Sequence, residues 1–238
     1  MKKIDAEKIN FKSLNDLIRK TKDNIIIENC EGQRFIADGT SDKIVTVKGV
    51  PGNALGAYLN GSRITVEGNA QDAVGDTMND GVIVVKGSVG DALGYAMRGG
   101  RIIVKGNAGY RVGIHMKEYG GKKPVIVVGG RAGSFLGEYQ AGGLIIVLGL
   151  DGGKVVGDFC GTGMHGGEIF LRTENLPEDL PEQVRAVVAT EEDKERIKEY
   201  VSEFCSLFGE DERKILSSEF FLLKPNSQNP YRQLYVQN

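Results

Sequence analysis

Short runs of β-branched residues recur at a fixed interval along much of the chain. The first five runs are spaced nineteen residues apart, and they begin at Ile25, Ile44, Arg63, Val82 and Arg101. Three later runs follow an insertion of about four residues around positions 119–123, and they begin at Val125, Ile145 and Glu168. A constant period of this length predicts a repeat protein in which each repeat is one structural unit.

Polarity alternates within the runs. The second and fourth residues are aliphatic in nearly every run, whereas the first and fifth are mixed or charged. Because successive side chains of a strand point to opposite faces, the second and fourth positions are predicted to face inward. The predicted inward column at the second position is Ile26, Val45, Ile64, Ile83, Ile102, Val125 and Ile145. The column at the fourth position is Glu28, Val47, Val66, Val85, Val104, Val127 and Val147.

A nineteen-residue unit is too short for the helical repeats, and the runs show no 3.6-residue periodicity. The pattern therefore predicts an all-β fold, a right-handed, single-stranded parallel β-helix of about seven coils. Glycine supports this fold, because 31 of its 34 occurrences lie between Gly49 and Gly167, where tight corners need positive φ angles. Asx side chains are expected to bond the local backbone at comparable turns, at Asn53, Asn60, Asp72 and Asp91.

The two ends differ from the repeats, which gives three predicted segments: an N-terminal helical cap at 1–24, the β-helix at 25–173 and a helical tail at 174–238, packed on the solenoid. A capping box at 13–16 predicts a short helix near 14–21. In the tail, Thr190 and Asp193 form a second capping box before an apolar helical face that ends at Gly209. A further short helix is expected around Ile215.

The third position of the runs should face outward, yet it becomes apolar in the later coils. The apolar residues are Val84, Ile103, Ile126 and Ile146 at the third position, joined by Val128 and Leu148 at the fifth. A continuous apolar strip on a flank must be covered. The chain's own C-terminal helices are the favoured cover, and another subunit is the alternative.

Composition adds limits on function. The formal net charge of −2 provides no strong field for nucleic acid or an anionic membrane. No apolar run approaches the length of a membrane helix, and the first residues do not resemble a secretory signal. The three cysteines, Cys30, Cys160 and Cys205, are scattered and include no CxxC pair. This predicts a cytoplasmic protein without disulfides or a cysteine-rich metal site.

Three features invite a chemical interpretation. Glycine clusters at 87–94 and 106–113 resemble phosphate loops, but each leads into another strand rather than a helix, so structural turns are favoured. Cys160 and His165 could form a nucleophile–base pair or ligate a metal, although a buried thiol and a loop histidine are favoured. Arg63 and Arg101 share an outward column, where solvated surface is favoured over an anion site. No catalytic, cofactor-binding or metal-binding residue is therefore predicted.

The repeat units at 52–106 and the segment VVGDFCGTGMHGG at 155–167 resemble the C-terminal GXGXG glycine-repeat domain of the glutamate synthase large (alpha) subunit. The tail from about Pro177 to Gln237, with its run KPNSQNPYRQLY, is similar to the helical end of that subunit. The resemblance implies a right-handed β-helix that packs beside glutaminase and synthase domains and carries no catalytic, flavin or iron–sulfur residues. The repeat also resembles one of the subunits of formylmethanofuran dehydrogenase.

The resemblance implies a non-catalytic accessory subunit of a glutamate-synthase-type oxidoreductase, acting in glutamate biosynthesis and nitrogen assimilation. No cofactor is expected on the chain, and the start Met1-Lys2-Lys3 offers no nucleophilic cysteine for glutamine hydrolysis. The expected partners are the amidotransferase and synthase subunits, or further copies of the chain. A component of formylmethanofuran dehydrogenase and a free-standing enzyme using Cys160 and His165 are the alternatives. A self-associating structural module is a third.

Overall fold

A computed structural model describes residues 1–22 and 24–226 of the chain. Its main body is a parallel β-solenoid, as the repeat predicts. The strands are β1 Lys2–Asp5, β2 Ile25–Glu31, β3 Ile44–Val50, β4 Asn60–Val66, β5 Asp80–Val85, β6 Arg101–Val104, β7 Val125–Val128, β8 Ala141–Val147, β9 Gly166–Arg172, β10 Val184–Val188 and β11 Phe220–Pro225. The helices are α1 Phe11–Lys20, α2 Glu191–Phe208 and α3 Glu212–Leu216.

All eleven strands belong to one sheet. Strands β2 to β9 stack in sequence order, one strand per coil and each parallel to the next, which gives about eight coils. β1 adds a parallel strand at one end, whereas β11 and β10 add antiparallel strands at the other. Isolated parallel bridges join equivalent residues on a second side of the coils, including Val89 to Ala108 and Ala108 to Ala132. Stacked coils therefore place equivalent residues in columns.

The first coil corrects one part of the predicted inward columns. Ile25 pairs with Val45, so the step from the first coil to the second is twenty residues and not nineteen. Ile25 and Ile27 consequently lie in the core, whereas the prediction that Ile26 and Glu28 face inward is wrong. The carboxylate of Glu28 faces outward instead, where the cations of the neighbouring strands pair with it at 3.3–3.5 Å.

The seventh strand requires a second correction. Arg101 pairs with Val125, so this step is five residues longer than nineteen, one more than the predicted insertion. Ile126 and Val128 therefore face the core, and the prediction that Val125 and Val127 do so is wrong. The run is aliphatic at all four positions, so its polarity pattern contains nothing that fixes which face is inside.

A column of glycines explains much of the glycine content. Gly94 has a φ of +66°, and a Cβ there would lie 2.5 Å from Cδ1 of Ile126 on the sheet side of the core. The same relation recurs at four other coils, with Gly56, Gly75, Gly113 and Gly137 facing the isoleucines of the second-position column. The interior is thus narrow, and these turns have no room for any side chain.

Asx side chains connect successive coils. Oδ1 of Asp72 accepts a hydrogen bond from the backbone N–H of Asp91 at 2.9 Å, and Oδ1 of Asp91 accepts from the N–H of Tyr110 at 2.8 Å. Asn107 does the same for the N–H of Arg131 at 2.6 Å. The prediction that Asp72 and Asp91 bond their local backbone is therefore wrong, because their acceptors reach the next coil nineteen residues on.

The N-terminal helix closes one end of the core. α1 begins at Phe11 and is capped by Asn10, whose side chain accepts from the N–H of Ser13. The predicted start near residue 14, with Ser13 as the cap, is therefore wrong by three residues. Leu14 and Ile18 of α1 are fully buried against the first coil, and Asn15 hydrogen-bonds two backbone groups of that coil.

The C-terminal segment contains both helices and strands. The Thr190–Asp193 capping box begins α2, and Gly209 ends it with a φ of 74°, as predicted. The expected short helix is α3. β10 and β11 were not expected, and they lie over the last coil, where Phe221 and Leu223 extend the solenoid core. Residues 227–238 of the predicted tail lie outside the described residues.

Candidate functional site

The apolar outer face of the later strands is covered by the chain itself. Ile103, Val127 and Ile146 point outward from the sheet and lie in one buried cluster with Val201 and Phe204 of α2. The other members of this cluster include Phe170, Ile197, Ile215, Phe220 and Leu222. Burying this strip keeps its apolar surface away from water, so this flank of the solenoid needs no partner for that purpose.

Ion pairs connect α2 and β11 to the outer edge of the solenoid. Nη1 of Arg196 donates to Oε2 of Glu168 at 2.7 Å, and Nζ of Lys224 lies 3.0 Å from Oε1 of the same carboxylate. Burial alone would raise the pKa of Glu168, but the hydrogen bonds from these cations lower it below its ordinary value. A further ion pair joins Arg101 of β6 to Glu203 of α2 at 3.1 Å.

The candidate nucleophile–base pair occupies two different environments. Cys160 is fully buried in the solenoid core, whereas His165 is half-buried just before β9, with Nδ1 3.0 Å from the carbonyl oxygen of Gly163. Burial raises the pKa of Cys160 to about 12, with a smaller contribution from Asp179. Such a thiol is protonated at neutral pH, and the thiol is a poor nucleophile compared with the thiolate.

The remaining thiols are similar. Burial raises the pKa of Cys30 and of Cys205 to about 11. Over residues 1–22 and 24–226, no group of three or more histidine, cysteine, aspartate and glutamate side chains is arranged to hold a metal ion.

The glycine clusters at 87–94 and 106–113 pack against other coils. A Cβ on Gly90 would collide with the carboxylate of Asp72, and a Cβ on Gly109 would collide with that of Asp91. Each cluster leads through a corner into the next strand, so no helix N-terminus follows it. The arrangement explains these glycines by the close approach of neighbouring coils.

The opposite side of the solenoid is formed by turns and is not covered by α2. We call it the turn face, and it consists of the stacked segments 34–39, 53–58, 72–77, 91–96, 110–115, 134–139 and 158–163. In the later coils it carries a connected group of exposed rings and one guanidinium, which we call the aromatic corner: Tyr95, Arg111, His115, Phe135, Tyr139 and Phe159.

The side chains of the aromatic corner contact one another across coils. The ring of His115 stacks on Tyr139 with centroids 5.2 Å apart, and Tyr95 meets the His115 ring edge-on at 6.0 Å. The rings of Phe135 and Phe159 stack at 5.0 Å. The sequence analysis missed this group, although the signal was available, because all six residues occupy the same turn segments of successive repeats.

A cleft of about 740 Å³ lies beside Phe159, where the chain leaves the last coil. It is lined by Phe159, Leu176 and the carboxylates of Asp158, Glu178 and Asp179. Nζ of Lys154 donates to Oδ1 of Asp158 at 2.6 Å. The cleft is therefore apolar on one side and mainly acidic on the other.

Among the described residues, none of the helices has both the length and the apolar character required to cross a membrane. The stacked parallel coils, the glycine corners and the helical cover define a glycine-repeat β-solenoid protein. A family model for the GXGXG motif matches residues 18–225. The chain belongs to this family, that of the C-terminal domain of the glutamate synthase alpha subunit, as the resemblance implied.

Two known proteins are similar over most of their length. The chain is 46% identical to an uncharacterized protein of Methanocaldococcus jannaschii, MJ1350, over 98% of this chain and 95% of that protein. Its fold is similar to a chain of the formyltransferase/hydrolase complex FhcABCD from Methylorubrum extorquens, solved with methylofuran. That match has a TM-score of 0.64 and 20% identity, and covers 92% of this chain and 89% of the other.

Proposed function

We propose that the protein is a non-catalytic accessory subunit of a glutamate-synthase-type oxidoreductase, where it orients the amidotransferase and synthase subunits. The observation that carries the proposal is the match to the GXGXG family over residues 18–225. In this proposal the chain supplies a rigid wall and contributes no reacting group, and the enzyme acts in cytoplasmic glutamate biosynthesis.

The interior of the solenoid supports a structural role. Stacked coils fill the core with aliphatic columns, and α1 at one end and the β10–β11 pair at the other close it. The best candidate nucleophile, Cys160, lies in that core with a pKa raised to about 12 by burial. Rigidity of this kind suits a scaffold, because a partner held against a stiff surface loses little freedom in finding its orientation.

Co-expression with the amidotransferase and synthase subunits tests the proposal. We expect a stable complex whose glutamate synthase activity falls when this chain is left out, and an isolated chain with neither glutaminase activity nor a flavin spectrum. Cys160→Ala should leave the activity of the complex unchanged. Glutamate synthase activity or bound flavin in the isolated chain would contradict the proposal.

The likeness to a chain of the formyltransferase/hydrolase complex favours a second candidate, a component of an enzyme related to formylmethanofuran dehydrogenase. It shares the fold at low identity. The same co-expression with formyltransferase/hydrolase subunits distinguishes the two: each candidate predicts a complex with its own set of subunits and none with the other.

A further inference from the structure

The two flanks of the solenoid differ in what covers them. The sheet flank carries α2, which buries the outward aliphatic residues of the later strands. On the turn face, large side chains remain in contact with water: Tyr110 is 53% exposed, Phe159 52%, Tyr95 40% and Tyr139 38%. Tyrosine, phenylalanine and arginine are the residues enriched in the centres of protein interfaces.

The aromatic corner is a single connected surface. The guanidinium of Arg111 lies 5.0 Å above the ring of Phe135 and pairs with the carboxylate of Glu138 at 3.2 Å. That pair joins the Phe135–Phe159 stack to the ladder that contains Tyr139. The rings are therefore preorganised, so a partner that stacks on them would immobilise few additional rotamers.

The charge beside these rings is negative. Asp72 and Asp91 stand in the column next to the rings, and their carboxylates accept only backbone N–H groups. Asp76 accepts a hydrogen bond from the hydroxyl of Thr77. Within the described chain, no cation pairs with any of these three carboxylates.

The cleft next to Phe159 extends this acidic surface. Asp158, Glu178 and Asp179 face a single lysine, Lys154. Exposed aromatic faces and unpaired carboxylates together are the two features that attract guanidinium and ammonium groups, by cation–π contact and by ion pairing.

We propose that the aromatic corner, with the carboxylates of Asp72, Asp76 and Asp91 and the cleft beside Phe159, is the docking surface for an arginine- or lysine-bearing surface of a partner subunit. The proposal rests on the proposed function for the identity of that subunit, and on charge complementarity for its chemistry. The sheet flank stays covered by α2 while the partner binds.

The structure offers variants that remove the rings without disturbing the fold. Phe135, Tyr139 and Phe159 have positive φ angles of 63°, 52° and 60°, a conformation in which asparagine is better tolerated than bulky residues. The triple variant F135N/Y139N/F159N should therefore fold. Phe35→Asn is its matched control, because Phe35 occupies the same turn position in the first coil, with φ 58° and an exposed ring.

A second variant removes charge. In D72N/D91N each amide oxygen can still accept the backbone N–H of the next coil, so the turn is kept and two negative charges are lost. Its control is E191Q/E192Q, which removes two exposed charges at the start of α2. Thermal unfolding of every variant confirms that it is folded before binding is compared.

The probes are the purified amidotransferase and synthase subunits, and separately a nonaarginine peptide, each titrated at low and at physiological salt. We expect the triple variant and D72N/D91N to bind both the subunits and the peptide about tenfold more weakly or worse. Both controls should bind like the wild type, and added salt should weaken wild-type binding.

The outcomes separate this proposal from the proposed function. If both variants bind the subunits as tightly as the wild type, the docking surface is wrong while the accessory role stands. If the wild type binds neither subunit, the proposed function fails and the peptide decides: equal peptide binding by the triple variant and Phe35→Asn overturns the surface as well. If light scattering shows a dimer that the triple variant abolishes, the occupant is a second copy and the basic partner is refuted.

Discussion

Adding one methyl group at Gly94 should destabilise the solenoid strongly, whereas removing one two residues earlier should not. Gly94 and Ala92 lie in the same turn, and both have positive φ angles, 66° and 57°. They differ in direction, because a Cβ on Gly94 points into the core toward Ile126, while Ala92 is half-exposed. Gly94→Ala and Ala92→Gly are therefore matched opposite changes.

The expected cost of Gly94→Ala has two parts. A left-handed conformation costs a residue with a Cβ about 1–2 kcal/mol. Overpacking against Cδ1 of Ile126, 2.5 Å away, adds about 1–3 kcal/mol. The lower entropy of the unfolded alanine chain offsets about 0.4–1 kcal/mol, so the free energy of unfolding should fall by about 2–4 kcal/mol. For Ala92→Gly the conformational gain and the entropy loss nearly cancel, within about 1 kcal/mol.

A double-mutant cycle tests the proposed clash directly. Ile126→Val removes the Cδ1 atom that the new methyl group would meet, and leaves the next atom 3.4 Å away. Alone, this change should cost about 0.5–1.5 kcal/mol. Combined with Gly94→Ala, it should cost at least about 1 kcal/mol less than the sum, measured by urea unfolding. Additivity within about 0.5 kcal/mol would show that the two columns do not meet and would refute this account of the glycine column.

Three further predictions concern the core and its cover. Val85→Asp should lower the free energy of unfolding by several kcal/mol, because it buries a carboxylate, whereas Lys86→Asp should cost less than about 1 kcal/mol; equal costs would contradict the inward assignment. Phe204→Ala should cost about 3–5 kcal/mol in urea unfolding and speed hydrogen exchange in α2, with exposed Lys198→Ala as the control that should change neither. Because the folded pKa of Glu168 is lowered, its contribution to stability is present above the unfolded value of about 4.3 and is lost as pH falls through the folded value; the destabilisation by Glu168→Gln should therefore shrink in acid, and a pH-independent difference would oppose this.

The repeat architecture could be predicted from the sequence because every coil repeats the same physical requirement. Strand residues such as Ile64 and Ile83 recur in register, since parallel coils stack like residues on like. The glycine at each corner recurs for the same reason, so the fold is encoded many times over. The capping box at Thr190 was equally recognisable, because it is a local pattern that needs no tertiary information.

The register of two strands could not be read with the same reliability. A run such as Val125–Val128 is aliphatic on both faces, because one face meets the core and the other meets α2. Alternation then carries no information, and a shift of one residue exchanges the faces. In the first coil, the charge of Glu28 did indicate the correct register, since two lysines on adjacent strands pair with it outside the sheet.

The candidate surface was hidden from the sequence for a different reason. Tyr95 and Tyr139 are 44 residues apart, and they come together only through the ring of His115 when coils of unequal length are stacked. The five-residue insertion between β6 and β7 interrupts the nineteen-residue spacing at that point. Once that insertion is allowed for, both tyrosines fall in equivalent turn segments, but their contact depends on the pairing that the structure supplies.

The covered sheet flank and the exposed turn face differ in the way expected of a scaffold. A solenoid repeats its surface along its length, so every coil has the same two sides and the same tendency to expose apolar strand residues. This chain buries the sheet flank under its own α2 and leaves its aromatic residues on the other side, among carboxylates that no cation of the described chain neutralises. If the rings served folding alone, they should be placed where water is excluded, as Phe170 and Phe204 are. Their exposure on the one uncovered flank of the later coils is the reason to look for a partner there.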